Sequence, residues 1–464
     1  NEYWEGRLMR IFRKKTLERI IGESSKKTLK PTMRTMDLIL LGVGSVIGSG
    51  ILVLTGEVSS KAGPSVIFSF LIAGLACGLT ALCYAELSSA IPSSGSVYTY
   101  SYMTLGEIVA HSMGWLLGGS YIIAGAAIAN GWSSYFKNLL EGFGVKIPRE
   151  LTSLPSEGGY GNLFAISVVL LIMIVLFKGT SSSKFVNNFM VVIKIAVIVL
   201  FVLVGVFYVK PHNWTNDFAP QGLSGIMVGA TTVFFAYLGF DTISTSAEET
   251  INPQKSLPRA IIITLLICTA FYIIVCLVLT GMVPYSQLGK GDALAYVLEE
   301  VGQDKIAGII SLGAVIGLLA GPLATMFASI RILFTMSRDG LLPKKLTELN
   351  KNGVPGSATI GVGILMVLLT GFLPLGQLAD LANLSWILAF TLVSYSTIVI
   401  RKQYPNAKRG FTMPGMPYLP IISILLFIVL LYGIQLSTWI IFGCWILVGL
   451  VIYFSYSMKH SVEK

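Results

Sequence analysis

The chain has 464 residues, of which 54% are hydrophobic and only 12% charged, with a mean hydropathy of +0.76. An ordinary soluble domain carries about 25% charged residues, so this composition excludes one and requires a polytopic membrane protein. The formal net charge of +10 would suit a nucleic-acid partner, until the basic residues are sorted by the loops that carry them.

Apolar runs of helix-spanning length lie at 37–56, 64–91, 107–136, 162–178, 185–209, 222–247, 259–283, 305–335, 357–374, 380–400, 417–434 and 438–457, twelve in all. When the ends and loops are assigned alternately to two sides, about three quarters of the 33 Lys and Arg fall on the side of the termini. The positive-inside rule then predicts a multi-pass protein of the cell membrane with both termini cytoplasmic, and the basic excess needs no nucleic acid. Residues 1–36 form a basic segment with no apolar h-region, so it is not read as a signal peptide. Its Arg7, Arg10, Arg13, Lys14 and Lys15 read as topology signals, with an amphipathic helix on anionic headgroups as the alternative.

The first span, "LILLGVGSVIGSGILVLTG", weakens its own centre, since each glycine costs a helix roughly 1 kcal/mol relative to alanine. Gly44-x-x-x-Gly48 is one reading, as a helix-packing motif. A dinucleotide fingerprint fails on spacing and context, because the glycines lie in mid-span with no strand before them. Gly48 and Gly50 around Ser49 point instead to unwound backbone. Free N–H groups at the start of a second half-helix attract a carboxylate, and free carbonyls at the end of the first hold an ammonium. Gly42 and Gly44 are assigned to packing, and Gly48 and Gly50 to the exposed backbone.

Further along, His111 reads as a packed helix residue. Cys77, Cys83, Cys268, Cys276 and Cys444 all lie within spans without a CxxC motif or a His partner. They support neither a metal site nor a disulfide framework, and no cofactor is expected. Lys194 lies nine residues into the fifth span from Phe185, roughly 13 Å along a helix and near the middle of the bilayer. Snorkelling covers only part of that depth. The alternative is an ammonium that stands in for a coupling cation at the broken first span. The sixth span contains "FFAYLGFDT", where Phe235 is either core or a gate over substrate. Asp241 costs roughly 2.5 to 3.5 kcal/mol to insert, so it is either functional or bonded to local backbone. Arg331, Arg338 and Asp339 close the eighth span as an expected cytoplasmic ion-pair cluster.

Corresponding breaks five helices apart predict an inverted repeat, 37–209 against 222–400, followed by two further helices in 417–457 and a tail at 458–464. No loop is long enough for a catalytic domain. The spans contain no HExxH and no paired nucleophile and base, so an enzyme is not expected.

Four stretches, "GVGSVIGSGILVLTGEV", "CYAELSSAIPSSGSVYTYSYMTLGEI", "FFAYLGFDTISTSAEETINPQKSLPRAI" and "RILFTMSRDGLLP", together resemble the cationic amino acid transporter family of the amino acid-polyamine-organocation superfamily. The similarity runs from about Asp37 to Tyr456. It implies an all-α fold of twelve transmembrane helices with five-plus-five inverted repeats, broken first and sixth helices, and alternating access. By position, Val46, Ser49 and Gly50 would bind the substrate's amino and carboxylate groups, with Phe235, Leu238 and Gly239 opposite and Asp241 nearby. Ser120, Thr325 and Met326 would border the side-chain pocket. Lys194 falls where proton-coupled bacterial members place a lysine. Two departures stand out: Ser120 replaces a Glu of several relatives, and "NLSWILAF" replaces a Gly-Thr pair in the tenth span. The implied protein is a secondary transporter that imports an L-amino acid, cationic or small and neutral, with a proton. Exchange, facilitated diffusion and a non-transporting sensor are the rivals, and a small single-span accessory subunit is left open.

Overall fold

Inside a bilayer a backbone N–H has no water to bond, so an apolar run must satisfy its own hydrogen bonds as a helix. The computed structural model describes residues 11–25, 29–48, 50–155, 158–289, 292–373, 375–431, 434 and 436–462. Among these residues the regular elements are helical, apart from isolated bridges pairing Met33 with Thr250 and Leu349 with Pro355. Among the described residues, eight helices are long and apolar enough to cross a membrane, and four shorter apolar helices, Thr35–Val46, Leu163–Phe177, Gly356–Phe372 and Tyr418–Leu431, complete the expected set. The chain is a polytopic all-α membrane protein.

In chain order, the first span is Thr35–Val46 followed by Gly50–Leu54 and Thr55–Ala62. A turn at Gly63, where φ is +64°, leads into the second, Val66–Ala90. The third is Glu107–Gly142, the fourth Leu163–Phe177, the fifth Thr180–Gly205 and the seventh Pro253–Met282. The eighth runs through Asp304–Leu318 and Ala320–Arg338, with Gly356–Phe372, Leu375–Gln403, Tyr418–Leu431 and Leu436–Ile452 after it. The sixth begins as Gly222–Phe234 and is broken beyond it.

The fifth span shows how sequence decides which face meets protein. Asn187, Val191, Lys194, Ile198 and Phe201 recur at three- and four-residue spacing and are buried, which is one face of a helix. Phe185, Phe189, Val192, Val199 and Leu203 take the opposite face and are exposed. An exposed face this apolar suits lipid. The buried face packs on the first half of the first span, which also meets the seventh and eighth spans.

Ion pairs tie the spans together at the end that carries the termini. Arg331 grips Glu249 through Nε at 2.6 Å and Nη2 at 2.8 Å, both side chains buried. Arg338 does the same with Glu248 at 2.8 and 2.9 Å. The cluster expected at the end of the eighth span therefore draws its acids from the residues just after the sixth-span break. Asp339 accepts from the Lys15 ammonium at 2.6 Å and the Tyr98 hydroxyl at 2.5 Å. Lys15 is thus a buried ion-pair partner and not a headgroup contact, because the helix Leu17–Ser25 tucks Leu17 and Ile20 against the bundle. Arg7 and Arg10 lie outside the described residues. Glu107 gathers hydroxyls from Tyr102, Tyr453 and Ser461, which pins the C-terminal segment. His111 is a packed residue whose Nε2 lies 3.0 Å from the Gly449 carbonyl. Cys444 is exposed, while the other four thiols are buried.

Candidate functional site

The first-span helix ends at Ile47, where ψ turns to 86°, and the chain resumes at Gly50 as a wide turn that runs into Thr55–Ala62. The sixth span tightens at Phe235–Tyr237, extends at Leu238 (ψ 140°) and turns through Gly239. At Gly239 φ is +109°, a region that L side chains rarely enter. The two breaks press on each other: a Cβ on Gly239 would run into Ser45, and one on Gly50 into Ala236. Gly50 is therefore also a packing glycine, which corrects its assignment to exposed backbone alone. Gly48 has room, with Ile128 its nearest neighbour at 3.7 Å.

Between the breaks lies a cavity of about 10 Å3, lined by Ser45, Val46, Gly48, Gly50, Ala124, Ile128, Phe235, Leu238, Gly239, Thr325 and Trp386. That volume suits a single water, so the breaks are closed on each other in this conformation. Val46, Gly50, Phe235, Leu238, Gly239 and Thr325 from the sequence-derived set line it together. Ser49 lies outside the described residues. Ser120 does not line the cavity. It sits one helical turn from Ala124 on the same face and donates to the Leu116 carbonyl at 2.6 Å. Met326 is buried but absent from the wall, because consecutive helical residues diverge by about 100° and Thr325 takes the inward direction.

Asp241 is likewise not a wall residue. Its Oδ2 accepts from the Tyr121 hydroxyl at 2.5 Å and from the Trp386 indole at 3.1 Å, and the residue is fully buried. The carboxylate meets the cavity wall through the Trp386 indole, and its other oxygen, Oδ1, is buried without a hydrogen-bond partner among the described residues. Its partners are side chains of the third and tenth spans and not the local backbone alone.

Lys194 lies near the middle of its helix and donates to the carbonyls of Gly44, at 3.1 Å, and Ile47. These lie at the C-terminal, partially negative pole of the first half-helix, where a cation is favoured. The Tyr272 hydroxyl reaches the carbonyls of both Val46, at 2.9 Å, and Ala236, at 2.5 Å. The carbonyls expected to receive a substrate ammonium are thus already met by protein donors, a correction to the reading of free backbone. Tyr135 likewise donates to the Leu52 carbonyl at 2.7 Å.

Trp386, Ala124, Ile128, Ser45 and Tyr272 were not in the sequence-derived set. Trp386 carried a usable signal, since a tryptophan away from the interfacial belt must bury its N–H and find an acceptor. Phe235 also lines a second cavity of about 580 Å3, with Leu54, Thr231, Thr232, Asp380, Asn383 and residues of the eleventh span. One aromatic ring therefore borders both spaces.

Two interrupted helices that meet at a buried, largely apolar cavity, with a lysine on the carbonyl pole of one, make a solute transporter of the membrane and not an enzyme. The chain belongs to the amino acid permease family, whose sequence profile matches residues 34–454. It is 48% identical to the methylthioribose transporter of Bacillus subtilis (strain 168) over 97% of this chain and 99% of that protein. It is 44% identical to the branched-chain amino acid permease BcaP of the same organism over 97% and 98%. With the human cationic amino acid transporter 4 it shares 36% identity over 85% of this chain and 64% of that protein.

Proposed function

We propose that the protein imports neutral, branched or small L-amino acids across the plasma membrane by alternating access, with Lys194 carrying the coupled proton and both termini in the cytoplasm. In this reading, residues 37–209 and 222–400 form the inverted repeats, and the cavity between their broken helices is the substrate site. Val46, Gly50, Phe235, Leu238, Gly239 and Thr325 contact the substrate, and Ser49 is a further candidate from the sequence. Asp241 acts through Trp386, and Ser120 and Met326 support the pocket from behind. The observation that carries the neutral preference is the wall itself. Val46, Ala124, Ile128, Phe235 and Leu238 are apolar, none of the described wall residues is charged, and one oxygen of the Asp241 carboxylate is taken up by the Tyr121 hydroxyl and the Trp386 indole. A cationic side chain would be buried there without a counter-charge, which is strongly unfavourable. The name of the BcaP relative agrees with this preference.

A second reading follows from the methylthioribose relative, because an uncharged thioether sugar also suits an apolar wall. Thermal unfolding of the purified protein with leucine, isoleucine, valine, arginine, lysine or methylthioribose separates the readings. A ligand at a hundred times its Kd stabilises by about 2.7 kcal/mol, and we expect the branched amino acids to do so. Stabilisation by arginine or lysine overturns the neutral preference, and stabilisation by methylthioribose alone establishes the second reading. Countertransport of the stabilising ligand excludes a sensor. Uptake that rises with an inward proton gradient in the parent but not in Lys194→Ala supports coupling. A parent that ignores the gradient is an exchanger or facilitator.

A further inference from the structure

Asn187 lies on the same buried face of the fifth span as Lys194, two helical turns nearer the termini. It is 2% exposed, and its Oδ1 has no hydrogen-bond partner. Asn187 lines a small cavity of about 10 Å3, separate from the one between the breaks, whose walls include Asp37, Lys184, Asn188 and Phe327. The volume suits one water, and a buried carboxamide oxygen without a protein donor is a place where water binds. Asp37 is another wall residue of this cavity. Its Oδ2 accepts from the Arg34 backbone N–H at 2.9 Å and the Lys184 ammonium at 3.3 Å, and its Oδ1 from Asn188 at 2.9 Å.

Gly44 of the first span lies against both Lys194 and Asn187. Its carbonyl accepts from the lysine, and a Cβ on its other side would stand 3.0 Å from Asn187 Oδ1 and 2.7 Å from Val191. A side chain at position 44 would wedge the carboxamide away. The groups around Lys194 are otherwise neutral: two carbonyls from the first span, the backbone of Gly317 from the eighth, and the Cys268 thiol from the seventh.

We infer that Asn187 and its cavity are the port through which Lys194 releases its proton to the cytoplasm. The inference rests on Lys194 being the coupling group. As the first half-helix shifts, one N–H bond of the ammonium breaks and one O–H bond forms on the water held by Asn187. That water passes a proton to the Asp37 carboxylate, which loses it to solution. Lys194 is left as a neutral amine and the water is regenerated. The positive charge of Lys184 at the same cavity keeps the proton in transit, since a cation cannot rest beside it.

The test uses proteoliposomes and the strongest stabiliser from the ligand panel, leucine on our reading. Net uptake driven by a proton gradient requires proton release in every cycle, whereas countertransport can proceed with Lys194 protonated throughout. Asn187→Leu should lower net uptake about a hundredfold, the lower end of effects seen for proton-transfer groups, and leave countertransport unchanged. Asn187→Ser, which keeps a polar oxygen as a hydroxyl and opens space for water, should retain most of the net uptake and serves if the leucine variant does not fold. If both activities fall together in Asn187→Leu and Asn187→Ser, the residue is a packing element and the port is overturned. If Lys194→Ala abolishes the gradient response while Asn187→Leu keeps it, only the port falls. If the parent shows no gradient response, the coupling role of Lys194 falls and the port falls with it.

Discussion

The two broken spans solve the same problem in opposite ways. At the first break the ion comes from outside the span: Lys194 on the fifth helix bonds directly to the Gly44 and Ile47 carbonyls. At the sixth break the ion belongs to the span itself, and Asp241 reaches outward to Tyr121 and Trp386. A charge that holds backbone from outside can release it by losing a proton, and the freed half-helix can move. A charge that bolts its own span to two neighbours makes a fixed wall. On the proposed coupling by Lys194, the first span's inner half is the part that moves and the sixth-span break the part that stays.

The strongest way to break this contrast is Lys194→Met. It leaves two buried carbonyls without their donor, at about 1–3 kcal/mol each, so thermal unfolding in detergent should drop sharply and the gradient response should vanish. Unchanged stability would mean that the lysine does not hold the first span. Asp241→Asn comes next. It keeps an acceptor for Tyr121 and Trp386 but exchanges charged bonds for neutral ones, a loss of roughly 1 kcal/mol. Substrate affinity should weaken severalfold through the Trp386 ring while the gradient response persists. Loss of that response would make the two charges a single unit. The smallest effect separates two glycines of the first break. Gly50→Ala meets Ala236 and should lower stability. Gly48→Ala has space, so stability should stay within about 0.5 kcal/mol while substrate affinity falls, because the new methyl projects into the cavity.

The positions of the breaks were legible in the sequence because glycines and small polar residues interrupt otherwise apolar runs. Lys194 was legible for the same reason, as a costly group far from either interface. Direction was not. Whether Thr325 or Met326 faces inward depends on a rotation of about 100° between neighbours, and no local pattern fixes it in a span buried on most sides. Asp241 misled for the same reason: its cost was visible, but its partners come from the third and tenth spans. Tyr272 and Trp386 escaped notice because their value lies in a hydroxyl or indole N–H finding an acceptor on another helix. Distance along the chain says nothing about that.

The Tyr272 hydroxyl has one hydrogen and two carbonyls to serve, Val46 on the first span and Ala236 on the sixth. Val46 can afford to lose it, because the Gly48 N–H also points at that oxygen from 2.9 Å. Ala236 has no such second donor among the hydrogen bonds of the described residues. The arithmetic of a single hydrogen thus breaks the apparent symmetry of the bridge. Of the two carbonyls, the one on the first span is the one the Tyr272 hydrogen can leave without stranding an acceptor.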